Sequence, residues 1–210
     1  MTETQAVSPG LALASASPRR LDLLRQIGLI PDQVAPANID ETPLHDERPG
    51  QLALRLAIQK GEAARAGLDG MFVISADTVV AVGRRILPKA ETKDEARACL
   101  KLISGRKHDV LTGVAVFAPD GRCVSRLVEA RVEFKRLSHQ DVEGYIGCGE
   151  WRGKAGGYAI QGQAGGFVTQ IAGSYSAIVG LPLYETAALL EGVGYPIARR
   201  WEPNHHENDA

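Results

Sequence analysis

The chain has 210 residues, 44% of them hydrophobic, which is enough for one sizeable core near the upper end of what a single domain holds. Its 24 lysines and arginines nearly cancel its 25 aspartates and glutamates, which excludes a global basic field for a nucleic-acid backbone or an anionic membrane. Cys99, Cys123 and Cys148 are odd in number and far apart, a pattern that excludes a disulfide framework or zinc spacing and fits a reducing compartment.

The polar start, residues 1–9, lacks the cationic and apolar regions of a secretory signal, and no apolar run reaches membrane-spanning length, so a cytoplasmic location is expected. Leu11-Ala12-Leu13-Ala14 predicts a strand entering a helix, with Ser17 as N-cap, Pro18 at the first helical position and Gly28 as the stop. A second helix is predicted from Pro49 to Ala66, with Leu52, Leu56 and Ala63 on or near one face. From Met71 to Val82 the chain is β-branched and apolar, broken only by Ser75-Ala76-Asp77-Thr78. Gly83 then turns it toward Ile86 and Leu87, giving two strands.

Thr92-Lys93-Asp94-Glu95 is a capping box, followed by Ala96, Cys99, Leu100 and Ile103 at helical spacing. Pro119-Asp120-Gly121 separates two extended runs, Asp109 to Phe117 and Cys123 to Phe134, which predicts a long hairpin. Ser138 starts another short helix, a glycine-rich stretch from Gly153 to Gly166 precedes a strand at Phe167 to Ile171, and Pro182 opens the last helix. The polar tail from Glu202 is expected to be flexible, like residues 1–9. No repeat or linker divides the chain, so one α/β domain over 1–210 with a mixed sheet is predicted.

Ser17-Pro18-Arg19-Arg20 puts two arginines in the first turn of a helix, where the macrodipole disfavours cations. Backbone N–H groups and two guanidinium forks at that end make a candidate phosphate site, against the plainer reading of two surface arginines. On this reading their loss weakens ligand binding and slightly stabilises the free protein. Lys60 and Lys89 are further candidate cations, each by itself an ordinary solvated charge. Asp77 interrupts an apolar stretch, where a lone carboxylate is costly without a partner, a metal or a cleft, and so is a candidate to activate water or hold a divalent cation. Glu41, after Asp40, is a candidate metal ligand, since Mg²⁺ commonly takes one or two carboxylates from the protein. In Lys154 to Gly162 the glycines permit close backbone approach, and Gln161 offers a donor and an acceptor to a base edge. No Walker A or Gly-x-Gly-x-x-Gly sequence is present.

Six blocks occur in order: Leu13 to Arg20; Ile39-Asp40-Glu41; Ser75 to Val80; Ser104-Gly105-Arg106 with Thr112-Gly113-Val114; Lys154 to Gly162; and Gly173 to Ser176 leading to Val179 through Leu183. Along almost its whole length the sequence resembles the Maf-type nucleoside triphosphate pyrophosphatases. The resemblance implies an α/β fold whose mixed central sheet, flanked by helices, forms two lobes around a deep cleft like that of the inosine triphosphatases. It implies attack of water on the α-phosphate with a divalent cation (Mg²⁺, Mn²⁺ or Co²⁺), Asp77 as general base and metal ligand, and Ser17, Arg19, Arg20, Glu41, Lys60 and Lys89 as phosphate and substrate residues. Thr78 after the aspartate and Gln161, with Arg19, resemble the branch acting on dTTP and UTP; the 7-methyl-GTP branch has Gln after the aspartate. One departure is Ala90, where members often have Pro after the lysine.

Two rival functions carry over as alternatives: a house-cleaning pyrophosphatase for modified or purine nucleotides, and a septum or cell-division regulator in which hydrolysis is secondary. A nucleic-acid-binding module is disfavoured by near-zero net charge and only 5% aromatics. The expected partner is a nucleoside triphosphate, with no nucleic acid or membrane, and the family admits a homodimer.

Overall fold

In a computed structural model that describes residues 9–200, the first strand, β1 (Leu11–Leu13), is buried at every position and pairs in parallel with β2 (Gln33–Val34) and β3 (Phe72–Val82). Parallel neighbours need crossover connections, and α1 (Pro18–Gln26) and α2 (Pro49–Arg65) supply them. The rest of the sheet is antiparallel. β3 pairs at its end with β4 (Arg85–Leu87) and along its length with β6 (Lys107–Phe117), which pairs with β7 (Cys123–Phe134), which pairs with β9 (Val168–Ala172). The order β2-β1-β3-β6-β7-β9 is the mixed α/β sheet expected from the sequence. A separate ladder joins β5 (Lys89–Ala90) to β8 (Lys154–Ala155).

Local signals hold where they are self-contained. Thr92 and Glu95 close both halves of the capping box of α3 (Lys93–Ile103), and Ser138 with Asp141 does the same for α4 (His139–Cys148). The hairpin β6–β7 turns where Ala118 N–H meets the Arg122 carbonyl at 2.9 Å. β3 runs unbroken through Ser75, whose hydroxyl donates to the Ala57 carbonyl at 2.7 Å, so the polar residues do not interrupt the strand.

Two expectations change, and one short helix was not foreseen. Ala63 is exposed, because the buried face of α2 runs through Leu52, Ala53, Leu56, Ala57, Lys60 and Gly61. The helix opened by Pro182 is α6 (Leu183–Gly192), and a further short helix, α7 (Ile197–Arg200), follows it. Between β9 and α6 lies α5 (Tyr175–Val179), too short to leave a periodic signal. Residues 1–8 and the tail from Glu202 lie outside the described residues.

The approach of α2 to the sheet sets the site. A Cβ on Gly61 would fall 2.1 Å from the Phe117 ring, and one on Gly113 would fall 2.4 Å from the Ala53 carbonyl oxygen. Glycine at both positions lets the helix lie directly on β3 and β6, which brings Lys60 over the middle of β3.

Candidate active site

Ser17 has the extended backbone of an N-cap, but its side chain makes no capping hydrogen bond. The neighbouring Ser15 hydroxyl instead accepts from Ser17 N–H at 3.2 Å and from Arg20 Nη1 at 3.0 Å. The conflict between Arg19, Arg20 and the helix dipole is resolved across the fold. Arg20 Nε donates to the Gly180 carbonyl at 2.8 Å and Arg19 Nε to the Val179 carbonyl at 3.4 Å, both at the C-terminal end of α5. Orphan carbonyls at a helix end are natural cation acceptors, so one helix terminus answers the other. Burial lowers the pKa of both guanidinium groups, helped at Arg19 by the charge of Arg20 and opposed at Arg20 by Asp77 and Glu41. Both remain cations, since arginine starts far above neutrality.

Asp77, in β3, is 2% exposed and pairs through Oδ1 with Lys60 Nζ at 2.5 Å. The same ammonium reaches Glu41 Oε1 at 2.6 Å, and the other Glu41 oxygen meets Lys89. Burial pushes the Glu41 carboxyl up, but the hydrogen bonds and charges of Lys60 and Lys89 outweigh it and hold the group below its ordinary value. Glu41 reaches this position from a loop clamped to α2 by Arg55, which holds Glu47 in a bidentate pair at 2.7 and 2.8 Å and donates to the Thr42 carbonyl at 3.1 Å. Lys89 is held by the β5–β8 ladder, in which the departure residue Ala90 is fully buried and pairs with Lys154.

Thr78 is half-buried, and its hydroxyl contacts Thr112 Oγ1 at 3.0 Å and Arg20 Nη2 at 3.4 Å. Its hydroxyl is therefore engaged inside the protein while the residue lines the cleft. Gln161 is exposed, and its amide has no protein partner among the described residues. The turn that presents it is tied down by Glu150, whose Oε2 accepts from Gln163 N–H at 2.8 Å.

Ser17, Arg19, Arg20, Glu41, Lys60, Asp77, Thr78, Lys89 and Gln161 all line one cleft of about 380 Å³. Sequence reasoning missed Ser15, Arg152 and Lys154 as members of the same lining. Lys154 could have been found, since it opens the glycine-rich block, whereas Arg152 carried no signal. Burial, with the charge of Arg19, lowers the pKa of Lys154. Six cationic side chains thus face two carboxylates in the cleft of a nearly neutral chain, which is the electrostatic footprint of a polyanionic ligand.

Among the described residues no cluster of three or more His, Cys, Asp or Glu could hold a metal. Asp77 and Glu41 nevertheless fit a hard divalent cation that completes its shell with phosphate oxygens and water, because such an ion takes only one or two carboxylates from the protein.

Residues 10–193 match the family described as Maf-like protein. The chain is 64% identical over 190 residues to the dTTP/UTP pyrophosphatase of Caulobacter vibrioides, covering 90% of this chain and 98% of that protein. It is 60% identical over 192 residues to the dTTP/UTP pyrophosphatase of Maricaulis maris, covering 91% and 92%. Among solved structures the Staphylococcus aureus Ham1 protein is similar at 18% identity, with a TM-score of 0.43, over 60% of this chain and 71% of that one.

Proposed function

The chain belongs to the Maf family, and from that premise we propose that it is a nucleoside triphosphate pyrophosphatase that hydrolyses dTTP and UTP to the monophosphate and pyrophosphate. The observation that carries this reading is the buried Asp77–Lys60 pair, 2.5 Å apart, in a cleft lined by six lysine and arginine side chains. The cations match the charge of a triphosphate, and the buried carboxylate matches the need for a base.

Asp77 Oδ1 is held by Lys60, and its other oxygen has no protein partner among the described residues. That oxygen takes a proton from a water molecule as the water oxygen bonds to the α-phosphorus. The bond from the α-phosphorus to the α,β-bridging oxygen breaks, and pyrophosphate departs with the electron pair. Ser17, Arg19, Arg20 and Lys89 bind and orient the phosphate oxygens, and Lys60 holds the base in place. A divalent cation such as Mg²⁺, Mn²⁺ or Co²⁺, held by Asp77 and Glu41, would supply charge neutralisation at the phosphates. Gln161 meets the base edge with one donor and one acceptor, matching a carbonyl and the N3–H of thymine or uracil. Thr78 lines the site and serves it through Arg20.

The unit is read as one domain, cytoplasmic, with no stable nucleic-acid or membrane partner and able to form a homodimer. Incubation with dTTP, UTP, CTP, GTP and 7-methyl-GTP, with chromatographic detection of monophosphate and pyrophosphate, tests the reading. dTTP and UTP should be the best substrates; release of orthophosphate in place of pyrophosphate, or a preference for a purine, would overturn it.

A further inference from the structure

Thr112 belongs to a sequence block to which the reaction above gives no role. It lies on β6 directly opposite Thr78 on β3 and is fully buried. Its hydroxyl donates to the Ala177 carbonyl at 2.8 Å and lies 3.0 Å from the Thr78 hydroxyl. A hydroxyl has one proton to give, and that of Thr112 is committed to Ala177. Thr78 must therefore donate to Thr112, which turns the Thr78 lone pairs toward Arg20 Nη2 at 3.4 Å. The direction of every bond in the chain from Arg20 through Thr78 and Thr112 to Ala177 is fixed by that one commitment.

The two ends of this chain meet on one element. The carbonyls of Ala177, Val179 and Gly180, in and just after α5, accept from Thr112, Arg19 and Arg20 respectively. Thr112 thus fastens the helix that holds the arginines and, through Thr78, adds a contact to the guanidinium itself. A valine at position 112 has nearly the same shape but supplies neither bond.

We propose that Thr112 is a positioning residue that, acting through Thr78, sets the orientation of the Arg20 guanidinium toward the triphosphate. The inference deepens the pyrophosphatase reading and rests on it. It explains why a hydroxyl residue follows Asp77, and why its strand partner is also a threonine: each supplies a bond that a hydrocarbon side chain cannot.

The test compares Thr112→Val, Thr112→Ser and Thr78→Val with the combined Thr78→Val/Thr112→Val protein, using dTTP hydrolysis, thermal melting and NMR couplings that report the Thr78 χ1 rotamer. Loss of both hydrogen bonds of the Thr112 hydroxyl should lower kcat/KM in Thr112→Val by about tenfold, with Thr112→Ser within about twofold of wild type. In the Thr78→Val background the Thr112→Val change should cost clearly less than it does alone, only the share carried by the Ala177 bond, whereas a merely structural role would cost the same in both backgrounds. Thr78 should hold one rotamer in the wild type and average between rotamers in Thr112→Val. An undiminished kcat/KM in Thr112→Val, an equal loss in both backgrounds or an unchanged Thr78 rotamer would overturn the proposal. A wild type that releases no pyrophosphate from dTTP or UTP would sink the parent reading instead, and the rotamer measurement would still decide the relay.

Discussion

Lys60 Nζ lies 2.5 Å from Asp77 Oδ1, with the lysine side chain 10% and the aspartate side chain 3% exposed. So little exposure makes each charge dependent on the other, because an unpaired buried ion cannot recover its solvation. Replacing Lys60 by Met should therefore destabilise the fold by about 3 kcal/mol, and the paired Lys60→Met/Asp77→Asn protein should recover much of that loss. Denaturant unfolding of the three proteins checks this; a Lys60→Met protein as stable as wild type contradicts it.

Arg20 reverses an expectation drawn from its position in a helix first turn. It donates to Gly180, Ser15 and Thr78, so its removal strips three bonds, a loss that outweighs relief of its repulsion with Arg19. Arg20→Ala should lower stability by roughly 1–3 kcal/mol as well as kcat/KM for dTTP. Arg19, with one long contact at 3.4 Å, should weaken triphosphate use on substitution by Ala while leaving the melting temperature nearly unchanged. A melting temperature for Arg20→Ala above that of wild type would contradict this account.

Specificity is expected to rest on Gln161, whose exposed amide has no protein partner among the described residues. A purine in the same place leaves base-edge groups unpaired, which discriminates more strongly than a missing methylene. Gln161→Ala should erode the pyrimidine preference by roughly 1–3 kcal/mol. The ratio of kcat/KM for dTTP and UTP to that for CTP and GTP measures it, and an undiminished ratio in the variant removes Gln161 from base recognition.

His108 is 1% exposed beneath the cleft, with Nε2 2.8 Å from the hydroxyl of Tyr158, a lining residue. Burial holds its pKa down to about 4 from 6.5, against the opposing charge of Asp109. Between those values the unfolded chain binds the extra proton, so stability is full above about pH 6.5 and is lost as pH falls toward the folded pKa. Over that window the wild type should lose about 3 kcal/mol more than His108→Gln, which keeps a partner for Tyr158 but does not titrate. Parallel pH slopes for the two proteins in denaturant unfolding would contradict the assignment.

What was legible in the sequence was local. The box Thr92–Glu95 and the turn Pro119-Asp120-Gly121 carry their own hydrogen-bonding logic, and Asp77 stood out because it interrupts an apolar run. The pairing of Asp77 with Lys60 was not legible. It spans 17 residues and depends on a close helix approach that Gly61 and Gly113 permit only once α2 is docked on the sheet. Arg152 and Lys154 escaped notice as cleft cations because only the β5–β8 ladder brings that segment beside Lys89. Ser17 was read correctly by backbone position, but its expected side-chain cap is missing, since Ser15 takes the hydrogen bonds nearby.

The central claim is that Asp77 is the base of a pyrophosphate-releasing hydrolysis, and Asp77→Asn tests it most directly because the amide keeps the shape and leaves Lys60 an acceptor while removing the charge. Pyrophosphate release from dTTP and UTP would be followed for wild type and variant beside their melting curves. The account predicts a folded Asp77→Asn protein whose turnover falls by at least about a hundredfold, in line with the loss of a general base. Turnover near the wild-type value in that folded variant would contradict it.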